Sequence, residues 1–120
     1  MQNFIYPPNH TGFKALVLSG QIDESVKDCA IAYIEPNGGG PNPDHTHAHD
    51  HIFTVISGSI TVRMPNQEAT VRQGESIHVP GNLLHSVWNK SDTEAKVIGI
   101  SIFHPPLPLP QGREDRHQRI

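Results

Sequence analysis

The stretch "PNPDHTHAHDHIFTVISG", residues 41–58, places histidine at positions 45, 47, 49 and 51 and then runs apolar into Gly58. A repeat of two is that of an extended strand, in which side chains at i, i+2 and i+4 leave one face. His45, His47 and His51 can then converge while Asp50 and Ile52 point away. Converging neutral imidazoles are costly unless something binds their lone pairs. A divalent transition metal does so, at metal–nitrogen distances of about 2.0–2.2 Å. A solvated histidine-rich loop is the competing reading of this stretch taken alone.

The same period extends outward in both directions. Short segments of period two, punctuated by Gly and Pro, predict strands at Lys14–Leu18, Cys29–Glu35, Ile52–Ser57, Ile60–Met64, Ala69–Val71, Ser76–Val79, His85–Asn89 and Val97–Phe103. "PNGGGPNP" reads as a loop, "SGS" as a tight bend and "PNQE" as a hairpin connection. Residues 21–28, "QIDESVKD", read either as a helical turn or as an exposed loop. The pattern is all-β, and strands this short and this closely spaced predict a sandwich or barrel. A chain of 120 residues suits one domain, expected over residues 1–104. The proline-rich and then charged tail, residues 105–120, cannot continue a sheet and is expected to run over the surface or onto a neighbouring subunit.

Composition narrows the function classes. A net charge of −3 with interspersed signs gives no basic stripe, so nucleic acid is not an expected partner. No apolar run approaches the roughly 18 residues of a membrane helix, and no membrane partner is expected. The single cysteine, Cys29, cannot form an internal disulfide and reads as a packed strand residue; a reducing, cytoplasmic setting is the expectation.

A second stretch, "GESIHVPGNLLHSVWN" at residues 74–89, reads as strand, turn and a strand beginning at His85. Together the two stretches resemble the motifs of a small single-domain cupin. The first motif, Gly, five residues, His-x-His, a glutamate and a closing Gly, is matched by Gly39, His45, His47 and Gly58. The second is matched by Gly74, Pro80, His85 and Asn89. The resemblance implies the all-β cupin jelly-roll barrel, a double-stranded β-helix. Two positions depart from it. Asn82 stands where the motif has glycine, and it tolerates the left-handed backbone that a turn there needs. His51 stands at the glutamate position, so the implied metal ligands, and the implied catalytic centre, are His45, His47, His51 and His85.

Four neutral ligands leave the full 2+ charge on the metal, which makes it a stronger Lewis acid than a site with a carboxylate. In an octahedron they leave two adjacent positions for water, dioxygen or a chelating substrate. Histidine sites of this kind accept manganese, iron, cobalt, nickel, copper or zinc. His49 shares the parity of its neighbours but falls where the family bends from loop to strand, and it reads as a rim residue. His78 reads as a structural histidine or, if turned inward, a proton relay. His10, His104 and His117 lie outside the motifs and carry no assigned role.

Parity continues inward from the ligands to Phe53, Val55, Val87 and Asn89, giving a small apolar pocket with histidines at one mouth. Lys14, Arg63 and Arg72 are the strand cations expected near enough to matter, too few for a phosphorylated substrate. Trp88 reads as a packing or dimer-contact residue. The expected function is a metal-dependent enzyme on a small molecule, a mononuclear dioxygenase of a chelating enol, diketone or phenol. The alternatives are a Lewis-acid isomerase or lyase on a sugar acid, and a metal- or ligand-binding module without chemistry. Apolar residues on both faces of one strand, Ile52 and Ile56 against Phe53 and Val55, predict a homodimer. Neutral imidazoles are required for ligation, so metal occupancy is expected to fall below about pH 6.

Overall fold

The computed structural model describes residues 3–103. Eight strands follow one another: β1 (Thr11–Ser19), β2 (Val26–His45), β3 (Asp50–Ser57), β4 (Ser59–Met64), β5 (Gln67–Arg72), β6 (Ser76–Val79), β7 (His85–Trp88) and β8 (Ala95–Ile102). Every expected strand is present, and none of the described residues is helical. Residues 23–25 form a bend, held where the Asp23 carboxylate accepts the backbone N–H groups of Ser25 and Val26 at 2.7 and 2.9 Å. The tail, residues 105–120, and His104 and His117 lie outside the described residues.

All pairings are antiparallel, in the order β5-β4-β7-β2-β8-β3-β6, with β1 on the other side of β2. The sheet curls into a nearly closed barrel. Its core is aliphatic, with Ile34, Val55, Ile60, Val62, Val79, Ala95 and Val97 almost wholly buried. This is the inward half of the alternation in each strand. Arg63, between Val62 and Met64, faces out, as its parity requires.

One expectation is corrected. The stretch "PNGGGPNP" is not a separate loop but part of a 20-residue strand. Up to Ile34, β2 pairs with β1 and β8; from Gly39, which still meets Thr11 of β1, it pairs with β7. The glycines that suggest a loop serve a close backbone crossing instead. A Cβ on Gly39 would strike the carbonyl oxygen of Val87 and sit 2.7 Å from Trp88 Cα. Asn89 locks the crossing. Wholly buried, it donates through Nδ2 to the carbonyls of Ile34 and Thr93 at 2.9 and 2.7 Å, and its Oδ1 accepts from Ser91. Its backbone exchanges bonds with Asn37 and Gly38.

Strands β2, β8 and β3 stand side by side in register, so their inward residues form rows. The rows are Asp28–Ser101–His51, Ala30–Gly99–Phe53 and Ala32–Val97–Val55. In the last row Val55 is core, while Ala32 and Val97 form the floor of the cavity. The middle row holds two very small residues, and this leaves room for a cavity beside the histidines.

Candidate metal centre

His51 is the second residue of β3, His85 opens β7, and His47 lies on the segment between β2 and β3. One ring nitrogen from each of His47, His51 and His85 falls within 4.8 Å of the others, close enough for a single ion to touch all three. His45 is paired in register with His85 across β2 and β7, so its Cβ leaves the same face. Its ring nitrogens lie outside that triplet. His49 stands beside it, stacked on His47 at 5.0 Å and edge-on to His51 at 4.7 Å between ring centroids.

The histidines are held from behind. His85 Nδ1 lies 2.9 Å from the carbonyl oxygen of Leu83, which only accepts; Nδ1 therefore carries the proton and Nε2 keeps its lone pair. Ser101 Oγ lies 3.4 Å from His51 Nδ1. The buried Asp50 carboxylate accepts from Gly81 N–H at 2.7 Å and contacts His78 Nε2 at 2.8 Å, and Asn82 N–H donates to the His47 carbonyl at 2.6 Å. These bonds tie the histidine segment of the first motif to the turn before His85. The turn tolerates Asn82 as expected, with its backbone at φ 62°. A side chain at Gly81 would meet Ala48 O at 2.5 Å. Arg63 clamps Asp44, beside His45, at 2.7 Å, and the guanidinium holds that carboxyl below its usual range. His78 thus faces outward as a structural partner of Asp50.

Burial, reinforced by His49, His85 and His47, pushes the His51 pKa down to about 3. Burial also lowers His47 and His49. Burial therefore keeps the His51 ring neutral well below the ordinary histidine range. An all-nitrogen donor set gathered within 4.8 Å fits a divalent transition metal.

The cavity next to these histidines has a volume of about 210 Å³. His47, His51 and His85 line one part, and Phe13, Ala30, Phe53, Val87 and Val97 line apolar walls. Three polar lining residues escaped the sequence reading: His10, Asp28 and Ser101. Pairing register alone exposes the last two, since they face each other and His51 only once β2, β8 and β3 are aligned. The expected cations do not line it. Lys14 sits 4.5 Å over the Phe4 ring and Arg63 pairs with Asp44. Lys27, in the stretch read as loop or helical turn, is instead the cation whose field reaches His47 and His49. Trp88 packs on Gly39 and donates to Ser86 Oγ at 2.8 Å, outside the cavity.

Residues 30–103 match the family described as "Cupin domain". The chain belongs to the cupin family. Among its relatives, auxin-binding protein T85 of Nicotiana tabacum is 24% identical over 107 residues. The alignment covers 81% of this chain but only 57% of that protein, so the chain spans little more than half the relative's length. The polyketide cyclase RemF from Streptomyces resistomycificus superposes with a TM-score of 0.71 at 19% identity, covering 98% of this chain and 88% of RemF. A cupin-like protein from Thermotoga maritima gives 0.72 at 19% identity, over 84% of this chain and 77% of that one. At such identities the structural likeness speaks for the fold alone.

Proposed function

We propose that this cupin holds one divalent transition metal on His45, His47, His51 and His85 and acts as a mononuclear oxygenase on a small chelating enol, diketone or phenol. The observation that carries the reading is a convergent set of imidazoles opening into a small apolar cavity. When bound, the metal supplies Lewis acidity at its full 2+ charge and, for the redox-active ions, electrons to dioxygen. The chain does the rest. Phe53, Val87 and Val97 exclude water and offer flat apolar walls to a planar ligand. Leu83 fixes the His85 tautomer and Ser101 steadies His51. His45 completes the set by side-chain rotation, its Cβ already on the face of His85.

The likeness to auxin-binding proteins supports a second reading, a module that holds a small ligand without chemistry. Untagged, metal-replete protein given a panel of enols, diketones and phenols, with and without oxygen, separates them. The oxygenase reading expects oxygen uptake matched to product. Product formed without oxygen moves the assignment to a Lewis-acid isomerase or lyase, and saturable binding without product to the binding module.

A homodimer belongs to the same proposal. The outer face of the β2-β8-β3 sheet carries Ile31 opposite Ile98 and Ile52 opposite Ile100, all only half-buried, with Ile56 exposed beside them. Such a face is covered in a stable assembly. We place the protein in the cytoplasm on the strength of its lone, unbridged Cys29.

A further inference from the structure

The inward positions of β2 read Asp28, Ala30, Ala32 and Ile34. Three suit a β-strand facing an apolar space; an aspartate does not, having low strand propensity and an oxygen pair that wants water or donors. Departures from local rules of this kind cluster where a protein binds something. Asp28 lines the cavity in the row Asp28–Ser101–His51, with one strand between it and His51, so their backbones stand roughly 10 Å apart. Its carboxylate is one-third exposed, and Lys27 reaches only Oδ2, at 3.3 Å. Asp28 is the one acidic side chain lining this cavity among the described residues. Opposite polar ends result: imidazoles that favour an anionic or enolic oxygen, and a carboxylate that favours a donor.

Building on the function proposed above, we infer that Asp28, with the Ser101 hydroxyl beside it, forms a specificity subsite that accepts a hydroxyl or ammonium group at the end of the ligand remote from its chelating oxygens. A ligand carrying a carboxylate at that end is disfavoured, because it would bring a second negative charge against the Asp28 carboxylate. Both the attraction and the repulsion are carried by one residue.

Three catechols serve as probes: 3,4-dihydroxybenzylamine, 4-ethylcatechol and 3,4-dihydroxybenzoate. Their binding is measured by calorimetry on metal-loaded wild type, Asp28→Asn and Lys27→Met, with metal content checked in each. The wild type is expected to prefer the amine over the carboxylate by tenfold or more, with the ethyl compound between. Asp28→Asn, which keeps the shape of the side chain, should shrink that preference to within about threefold, and Lys27→Met should widen it by freeing Oδ2. Equal affinities in the wild type, or a preference unchanged in Asp28→Asn, overturn the inference while leaving the proposed substrate class standing. Failure of every catechol to bind a metal-loaded wild type overturns the substrate class, and the subsite with it.

Discussion

Acidification of the metal-free protein should expose the cost of burying His51. In the unfolded chain its imidazole titrates near 6.5, and in the fold its pKa is pushed down to about 3. Between those values the unfolded state binds a proton that the folded state refuses. Stability therefore rises with pH across this window and is lost as pH falls through it. The whole gap corresponds to at most about 4–5 kcal/mol, comparable with the roughly 5–15 kcal/mol that holds an ordinary domain together. Between pH 6.5 and 4.5 the loss assigned to His51 is about 2 kcal/mol. Urea unfolding of chelator-treated wild type and His51→Gln over this range measures it, since glutamine has no proton to gain. The wild type should lose about 2 kcal/mol more than the variant. Parallel losses in the two proteins would refute the account of His51 as a buried, neutral ring.

Other residues offer independent checks. Asn89→Ala leaves the buried carbonyl of Ile34 without its side-chain donor and should destabilise by about 2–4 kcal/mol, read as a lower urea midpoint; a change under about 0.5 kcal/mol contradicts its role as the lock of the β2 crossing. Gly39→Ala places a methyl group against Val87 and should leave little soluble folded protein, whereas near-normal thermal stability would show that the crossing is looser than described. Light scattering at micromolar concentration should give the mass of two chains, falling towards one in an Ile98→Lys variant; a monomeric wild type contradicts the proposed dimer.

The strands were legible because each buries one face, so alternation survives in the sequence as Ile60, Val62 and Met64 or Phe53 and Val55. The crossing at Gly38–Gly40 was not, because glycines needed for close backbone approach and glycines needed for a loop look alike in sequence. The histidines at 47, 51 and 85 announce themselves by residue type and motif spacing, and the structure brings them together. Asp28 and Ser101 carry no such signal. Each is an ordinary polar residue until three strands far apart in the chain are set in register, and that register follows from tertiary pairing rather than from local pattern. Lys27 was hidden for a related reason, its segment being read as a loop or helical turn when it begins a strand beside the site.

The central claim is that histidines from both motifs bind one metal ion, and elemental analysis of untagged wild type and His85→Ala tests it most directly. The wild type should carry close to one transition-metal ion per chain, and His85→Ala should lose most of it while keeping the β-sheet circular dichroism of the parent. Full occupancy in His85→Ala, or a wild type that takes up no metal at neutral pH, would contradict the claim.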